Sequence, residues 1–422
     1  MQNIQQFRNL KVTVIGLGRS GVSSANLLYD LGAEVNVTDN QDNIAIHENV
    51  LKLKSKNIKV ELGRHSEDFI KNKDLIVVSP GVPQDAYPIV LAEKLNIPVI
   101  SEIEFAFLLC EGTIIAITGT NGKTTLTTLV GNLLNKVKRN CFICGNIGNP
   151  FSAEVRNIKE SDFVSLEVSS FQLERIKTFK PKIAVILNFS CNHLDRYRNM
   201  EEYLNAKKRI FMNQDETDYL VLNEDDPVVK DLAKETKAKV VFFKEKDNLN
   251  SNYSALLAIG SILKIDKDIC LQLIREFKGI EHRLEFVKEL NHINFINDSK
   301  STTVESTLWA LRNIEEPVIL IAGGKDKGID YQPILALAKN KIKKTILIGE
   351  AKDKIEKVLK DSVVVQKALT LEEAVEEAYR SAVPGDCVLL SPMCASFDMF
   401  KDYEERGRAF KKAVYDLARR LL

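Results

Sequence analysis

Short apolar runs alternate with amphipathic stretches along almost the whole chain. The runs are bounded by Gly, Asp or Pro, which is typical of buried parallel strands, and the stretches between them have the spacing of helices. This alternation predicts repeated β-α-β units. The clearest predicted strands are residues 12–15, 34–38, 74–78, 114–117, 163–166, 183–187, 318–321, 345–348 and 387–390.

A glycine-rich segment joins the predicted strand 114–117 to a helix predicted over 124–134. Its residues are Gly119, Thr120, Asn121, Gly122, Lys123, Thr124 and Thr125. Glycines let several backbone N–H groups face one anion, and the start of the helix adds a favourable dipole. We expect Lys123 between phosphates and a threonine hydroxyl at Mg²⁺. Ile117 stands where the common GxxxxGK[ST] pattern has its first glycine, so this is a variant phosphate loop.

A second glycine-rich turn follows the predicted strand 12–15. Gly16, Gly18 and Gly21 have the GxGxxG spacing, and Asp39 closes the next strand. This is locally a dinucleotide-binding fingerprint with its ribose-binding acid. The fingerprint marks a pyrophosphate site more reliably than it names the nucleotide, so a nicotinamide-dependent oxidoreductase is an alternative interpretation. Residues 79–83 add a turn at the same edge of the predicted sheet.

Polar residues follow two predicted strands of the middle part. Glu167 ends one strand, and His193 follows the strand at 183–187. Ligands bind at the carboxyl ends of strands in open α/β sheets, so both side chains are candidates for a Mg²⁺ site with a loop threonine. Histidine is an uncommon Mg²⁺ ligand, so Mn²⁺ is a possible replacement. Lys207 lies in a helical run over 200–212 and by itself is interpreted as part of a solvated charged face.

Four polar segments of the last third each adjoin a predicted strand. They are residues 281–285, 297–302, 323–327 and 391–398. Strand ends of a parallel sheet share one edge, so we expect these segments to lie along it. Their hydroxyl, Arg and Lys groups suit a carboxylate-bearing substrate and a terminal phosphate.

The composition narrows the class of protein. The chain has 422 residues, 45% of them hydrophobic and 28% charged, as in ordinary globular enzymes. A net charge of +1 does not indicate binding of nucleic acid or of an anionic membrane. We see no signal peptide, and no apolar stretch approaches the ~18 residues of a membrane span. These features favour a cytoplasmic protein, which we also expect to be a monomer.

Seven cysteines are scattered along the chain, and Cys141 and Cys144 form a lone CxxC. No second pair stands at a spacing typical of a metal site. We interpret the cysteines as reduced residues of a cytosolic protein, with a redox or zinc role for the CxxC pair as the alternative.

Motifs spread over essentially the whole chain resemble the Mur ligases of peptidoglycan synthesis. They are GTNGKTT at 119–125, GNIGNP at 145–150, LEVSSFQLE at 166–174, NHLDRY at 192–197, HRLE at 282–285, NDSKST at 297–302, GGKDKG at 323–328 and LSPMCASFDMFKDYEERG at 390–407. The last motif is the most specific, and within the family the chain looks like the members that add D-glutamate. The Asp-Asn-Pro-Arg motif of members that add a diamino acid is not found.

The resemblance implies an α/β fold of three domains. A Rossmann-like domain over 1–101 would bind the UDP-linked substrate, and a central P-loop domain over 102–279, with a mostly parallel sheet, would bind ATP. A Rossmann-like domain over 280–422 would bind the amino acid. ATP would phosphorylate the terminal carboxylate of UDP-N-acetylmuramoyl-L-alanine, and D-glutamate would then form an amide, releasing phosphate.

The resemblance also implies roles for single residues. The catalytic residues would be Lys123, Glu167, His193 and Lys207. The metal ligands would be Thr124, Glu167, His193 and Lys207, the last if it is carbamylated. ATP would contact residues 119–125 together with Asn252, Arg283 and Asp298. The UDP-linked substrate would contact Gly18, Arg19, Ser20, Asp39, Asn40, Ser79, Pro80, Gly81 and Asn146. D-Glutamate would contact Lys300, Thr302, Lys327, Ser396 and Phe397.

This chain departs from the family at the expected adenine site. Family members often have His-Asn-x-x-Asn there, whereas this chain keeps Asn252 but has Ala255 in place of the second Asn.

Two other classes of function explain less of the chain. A nicotinamide-dependent oxidoreductase would leave the phosphate loop without a role. A nucleotide-binding regulator that hydrolyses ATP slowly would leave the polar segments of the last third unexplained.

Overall fold

The structure is a computed structural model that describes residues 5–190, 196–246, 249–277, 279–326 and 328–421. The chain forms two compact units, one that ends at Phe277 and one that begins directly after it. Two separate sheets lie in the first unit and one sheet lies in the second. The predicted boundary at 101/102 falls inside the first unit, and both this boundary and the one at 279/280 stay predictions.

The N-terminal part of the first unit contains a five-stranded parallel sheet. Its elements are β1 (Lys11–Ile15), α1 (Arg19–Asp30), β2 (Glu34–Asp39), α2 (Ile44–Val50), β3 (Lys59–Leu62), β4 (Leu75–Val78), α3 (Tyr87–Lys94), β5 (Val99–Ser101) and α4 (Glu102–Phe107). The strand order is β3-β2-β1-β4-β5. The winding reverses between β1 and β4, which in open α/β sheets opens a crevice for ligands.

The rest of the first unit is built on a six-stranded parallel sheet. Its elements are β6 (Thr113–Thr118), α5 (Lys123–Lys136), β7 (Cys141–Gly145), α6 (Phe151–Glu154), β8 (Phe163–Glu167), α7 (Ser170–Leu173), β9 (Ile183–Ile186), α8 (Met200–Lys208), β10 (Tyr219–Asn223), α9 (Pro227–Asp231), β11 (Lys239–Phe243), α10 (Ser251–Ile262) and α11 (Lys267–Glu276). The strand order is β11-β10-β9-β6-β8-β7. The end of β6 therefore lies between the ends of β9 and β8.

The second unit is built on a six-stranded sheet. Its elements are β12 (Glu285–Leu290), β13 (Ile293–Asn297), α12 (Val304–Arg312), β14 (Val318–Gly323), α13 (Leu335–Lys341), β15 (Ile342–Ile348), α14 (Lys352–Leu359), β16 (Val364–Lys367), α15 (Leu371–Ser381), β17 (Cys387–Leu390) and α16 (Tyr403–Leu421). The strand order is β12-β13-β17-β14-β15-β16. All neighbours are parallel except β12 and β13, which pair antiparallel.

Short 3₁₀ segments complete the described secondary structure. They lie at Gln5–Phe7, Glu67–Phe69, Val155–Asn157, Arg209–Phe211, Leu232–Lys234 and Gln332–Ile334.

The predicted α/β class with mostly parallel sheets is confirmed. The apolar stripe predicted on the helix after the phosphate loop is buried in α5, at Leu126, Leu129, Val130, Leu133 and Leu134. The helical run over 200–212 is shorter than predicted, since α8 ends at Lys208 and a 3₁₀ turn follows. The edge strand β12 buries only Val287 and Leu290, so its sequence has no continuous apolar run that would predict a strand.

Among the described residues, no helix combines the length and the apolar character needed to cross a membrane.

Gly131 allows α5 to pack closely on β7. A Cβ at this position would lie 2.3 Å from Cγ1 of Ile143. We expect Gly131→Ala to destabilise the protein by about 1–3 kcal/mol through overpacking, although alanine favours a helix by ~1 kcal/mol over glycine. The midpoint of thermal unfolding measures the effect. In an Ile143→Ala background the extra methyl has room, so an equal loss in both backgrounds would contradict the packing argument.

Candidate nucleotide and ligation site

The phosphate loop runs from the end of β6 to the start of α5. Gly119 and Gly122 have φ of +154° and +80°, which side-chain-bearing residues rarely adopt. Asn188, just beyond β9, fixes the loop between them. Its Oδ1 accepts from the backbone N–H of Thr120 (3.0 Å) and of Asn121 (2.8 Å). Sequence reasoning did not single out Asn188, although its place after a predicted strand was a signal.

Two lysines converge on one carbonyl of this loop. Lys123, at the start of α5, donates to the carbonyl oxygens of Gly119 (3.0 Å) and Thr120 (2.8 Å). Lys207, in α8, donates to the same Gly119 oxygen at 2.8 Å. The Lys207 side chain is fully buried, and its Nζ lies 4.6 Å from the centre of the Tyr203 ring. Burial, and then the charge of Lys123, hold the pKa of Lys207 well below its ordinary value.

The structure brings Asn146 and Glu167 together. Glu167 ends β8, next to β6, and its Oε1 accepts from Nδ2 of Asn146 at 2.8 Å. The backbone N–H of Asn146 also donates to the Glu167 carbonyl at 2.9 Å. This approach requires Gly145, since a Cβ there would lie 2.4 Å from that carbonyl oxygen. The sequence had placed the two residues in different sites.

A divalent cation fits the residues beside the loop. Oε2 of Glu167 is buried and has no hydrogen-bond partner among the described residues. A buried carboxylate oxygen without a donor is costly unless it meets a proton or a cation. Thr124 is buried in the first turn of α5 and brings a hydroxyl to the same edge of the sheet. His193, another of the predicted ligands, lies outside the described residues.

Asn252, in the first turn of α10, packs against the phosphate loop. Its buried Oδ1 has no partner among the described residues, and a Cβ on Gly122 would lie 2.7 Å from it. Ala255, one turn later, is fully buried in the apolar core on that side of the sheet. The two positions of the expected adenine motif thus differ in character, one polar and at the loop, the other part of the core.

Asp39 closes the glycine turn of the first sheet. Its Oδ2 accepts from the N–H of Leu17 at 2.6 Å, and its Oδ1 accepts from the N–H of Gln41 at 2.8 Å. The Ser79 hydroxyl donates to the Gly16 carbonyl at 2.9 Å. A Cβ on Gly21 would lie 1.8 Å from that same carbonyl oxygen, so the third glycine permits the close approach of α1. Asp39 and Ser79 therefore stabilise the turn, and the side-chain oxygens of both can still accept a hydrogen bond from a ligand.

The other predicted contacts of the UDP-linked substrate lie at the same edge. Gly18, Arg19, Asn40 and Gly81 are exposed, and Ser20 and Pro80 are half-buried. Arg19 also reaches the middle part of the first unit, where its Nη1 donates to the Gly148 carbonyl at 3.3 Å.

In the second unit, Asp298 anchors the loop after β13. Its Oδ1 accepts from the N–H of Leu284 at 3.2 Å, and its Oδ2 accepts from the Ser391 hydroxyl at 2.8 Å. These contacts draw together the predicted segments 281–285, 297–302 and 391–398. Burial raises the pKa of the Asp298 carboxyl to about 6. Arg283, beside Leu284, is half-buried.

The predicted D-glutamate contacts follow neighbouring strands, because β13 pairs with β17. Lys300 and Thr302 lie after β13, and the Lys300 ammonium lies 5.8 Å from the centre of the Tyr403 ring. Ser396 is buried and Phe397 is 71% exposed in the loop after β17. Lys327 lies outside the described residues.

Arg406, which sequence reasoning did not assign, joins these two loops. Its buried guanidinium donates to both oxygens of Ser299, at 3.0 and 2.8 Å, and to the carbonyls of Cys394 and Ala395, at 3.1 and 3.3 Å. Burial lowers its pKa to about 10, so it stays charged at neutral pH. In the sequence, the one indication of its importance was its position in the motif at 390–407.

The CxxC pair does not form a metal cluster in the described part of the chain. Cys141 and Cys144 are buried free thiols of β7, and burial raises the pKa of both, that of Cys141 to about 12. Three potential metal ligands do meet at Glu281, His282 and Glu285. The Lys411 ammonium already bonds to both of these glutamates.

A phosphate loop at the carboxyl edge of a parallel sheet, with two lysines and a buried carboxylate, is typical of proteins that bind nucleoside triphosphates. Family models match most of the chain: the MurD-like N-terminal domain of Mur ligases at 10–101, the Mur ligase middle domain at 117–266 and the Mur ligase glutamate ligase domain at 282–394. The chain belongs to the Mur ligase family.

Curated relatives match over nearly their whole length. UDP-N-acetylmuramoylalanine--D-glutamate ligase of Thermoanaerobacter pseudethanolicus is 40% identical, covering 98% of this chain and 100% of the relative. The protein of that name from Clostridioides difficile is 39% identical, covering 96% and 98%.

Solved structures share the fold at lower identity. UDP-N-acetylmuramate-alanine ligase MurC of Thermotoga maritima has a TM-score of 0.60 at 19% identity and covers 96% of this chain and 99% of its own. MurF ligase of the same organism, in complex with ADP, has a TM-score of 0.58 at 17% identity and covers 99% and 97%.

The raised pKa of Asp298 predicts a cost in stability at neutral pH. The folded state holds this proton more tightly than the unfolded state, whose aspartate titrates near ~3.9. Stability therefore falls as the pH rises from about 4 to about 6 and stays reduced above that, by roughly 3 kcal/mol for a shift of about two pKa units.

We expect Asp298→Asn to raise the thermal midpoint of the ligand-free protein at pH 7.5, and the gain to shrink as the pH falls below 6. The Asn can keep the bond from Leu284, and the Ser391 hydroxyl can accept from its amide while donating to Thr307, 2.8 Å away. A gain that does not change with pH would contradict the buried-charge explanation.

Proposed function

We propose that this protein joins D-glutamate to UDP-N-acetylmuramoyl-L-alanine at the expense of ATP. The observation that carries an ATP-dependent ligation is the phosphate loop with Lys123 and Lys207, and beside it a Glu167 oxygen that has no hydrogen-bond partner among the described residues. The names of relatives about 40% identical along nearly the whole chain support D-glutamate as the amino acid. The setting is the cytoplasmic synthesis of peptidoglycan precursors, and the protein acts as a monomer.

The proposed reaction has two steps. A carboxylate oxygen of UDP-N-acetylmuramoyl-L-alanine attacks the terminal phosphorus of ATP, and ADP leaves. The amine of D-glutamate then attacks the acyl carbon, phosphate leaves, and the nitrogen loses a proton. Lys123 would offset negative charge on the transferring phosphoryl group, and the loop amides would hold the neighbouring phosphates. A bound Mg²⁺, or Mn²⁺ in its place, would supply further charge neutralisation.

The remaining residue assignments are part of the proposal. Thr124, Glu167, His193 and carbamylated Lys207 hold the metal. Asn252, Arg283 and Asp298 contact ATP, and the edge of the first sheet, together with Asn146, holds the UDP-linked substrate. Lys300, Thr302, Lys327, Ser396 and Phe397 hold D-glutamate. The three domains are residues 1–101, 102–279 and 280–422.

The full chain with ATP, Mg²⁺, UDP-N-acetylmuramoyl-L-alanine and D-glutamate is expected to release phosphate only when both of the last two are present. We expect Lys123→Ala to abolish this release, because charge on the phosphoryl group is no longer neutralised. The same variant is expected to keep its affinity for the UDP-linked substrate, measured by calorimetry. Phosphate release that ignores D-glutamate would overturn the proposal.

The Lys207 side chain is buried and its pKa is lowered, which favours the neutral amine that reacts with CO₂. The amine nitrogen attacks CO₂, a C–N bond forms and one proton is released, leaving a carbamate with two oxygens. We expect activity to fall in CO₂-depleted buffer and to return with bicarbonate, and ¹³C-bicarbonate to give a carbamate NMR signal that Lys207→Ala lacks. The control is Lys208→Ala, whose ammonium pairs with Glu235. A signal that persists in Lys207→Ala would assign the carbamate elsewhere.

A further inference from the structure

Arg196 links the two sheets of the first unit. It belongs to the part built on the second sheet, yet its guanidinium reaches the segment after β4. Nη1 donates to the Pro80 carbonyl at 3.2 Å, and Nη2 donates to the Val82 carbonyl at 2.9 Å. These carbonyls flank Gly81, in the segment proposed to contact the UDP-linked substrate.

The same guanidinium is held firmly on its own side. Nη2 lies 3.2 Å from Oε2 of Glu174, whose side chain is only 4% exposed. The other Glu174 oxygen accepts from the Tyr197 hydroxyl at 2.6 Å. The guanidinium also lies 4.2 Å from the centre of the Phe171 ring. A planar guanidinium can serve two carbonyls, a carboxylate and a ring at once, which an ammonium cannot.

A series of aromatic rings in contact connects Arg196 with the phosphate loop. The rings of Phe171 and Tyr197 are stacked at 5.8 Å, and Tyr197 lies 5.3 Å from Tyr203. The Tyr203 ring contacts Lys207, and its hydroxyl lies 3.5 Å from Oγ1 of Thr120 in the phosphate loop. Unbroken contacts thus join the carbonyls of Pro80 and Val82 to the loop that holds Lys123.

We propose that Arg196 is a positioning residue that couples binding of the UDP-linked substrate to binding of ATP. Its two hydrogen bonds set the shape of the 80–82 segment, and its ion pair and ring contact tie that shape to the surroundings of the phosphate loop. Each ligand is then favoured by the arrangement that the other stabilises, and the coupling is reciprocal. This inference rests on the proposed function, because it needs the UDP-linked substrate at the 79–81 segment.

Calorimetry on the full chain tests the coupling. The dissociation constant of UDP-N-acetylmuramoyl-L-alanine is measured without and with a saturating non-hydrolysable ATP analogue and Mg²⁺. We expect the analogue to tighten binding by roughly 10-fold in the unmodified protein, within the usual range of such coupling. Arg196→Lys keeps the positive charge but loses the planar guanidinium. In this variant we expect the ratio of the two dissociation constants, without and with the analogue, to fall below about 2-fold.

Arg209 provides a matched control. Like Arg196, it is half-buried and donates to two carbonyls, those of Leu173 (2.8 Å) and Ile176 (2.6 Å). Both carbonyls, however, belong to the same part of the first unit as Arg209, the part built on the six-stranded sheet. Arg209→Lys is expected to lower the thermal midpoint about as much as Arg196→Lys while keeping the roughly 10-fold ratio.

The outcomes separate this inference from the proposed function. An unchanged ratio in Arg196→Lys, or a ratio near one in the unmodified protein, would overturn the coupling while leaving the ligase intact. Failure of the unmodified protein to bind the UDP-linked substrate at all would overturn both. If Arg196→Lys does not fold, Glu174→Gln replaces it, because this variant removes the charge that pairs with Arg196 and keeps the contacts of Arg196 with the two carbonyls. A ratio of dissociation constants that stays near 10-fold in Glu174→Gln would also count against the coupling.

Discussion

The placement of every candidate site follows from one constraint, the burial of parallel strands on both faces. Such strands carry mostly apolar side chains along their length, so most polar groups collect where the strands end. In the first unit, the ends of β6, β8 and β9 bring Gly119, Glu167 and Asn188 together. In the second unit, the ends of β13 and β17 do the same for Asp298 and Ser391.

Several of these polar groups are buried at a cost to folding. Lys207 is a buried amine beside another lysine, Glu167 has an oxygen without a partner in the described part of the chain, and Asp298 is a carboxyl with a raised pKa. Such groups cost stability in the free protein, and they cluster at functional sites because ligands and metals can complete them. The large apolar cores of the three sheets offset that cost.

Two arginines connect loops that the sheets alone would leave independent. Arg406 bonds to the loops after β13 and β17, and Arg196 bonds to the segment after β4 from the neighbouring part of its unit. In both cases the acceptors include backbone carbonyls. The arginines therefore position backbone segments, and the side chains on those segments remain available for ligands.

The sequence by itself determined the α/β class, the parallel strands, the phosphate loop and the motifs of the Mur ligase family. These are local features, because apolar runs, glycine turns and helix starts depend on residues close in the chain. Tertiary structure decided which residues meet. Asn146 and Glu167, 21 positions apart, share a hydrogen bond, and Asn188 closes a loop 67 positions away. The interpretation of Lys207 as a solvated charge was wrong, since the packing of α8 buries it at the Gly119 carbonyl. Burial and electrostatic environment depend on contacts between distant segments, so no local pattern carries them.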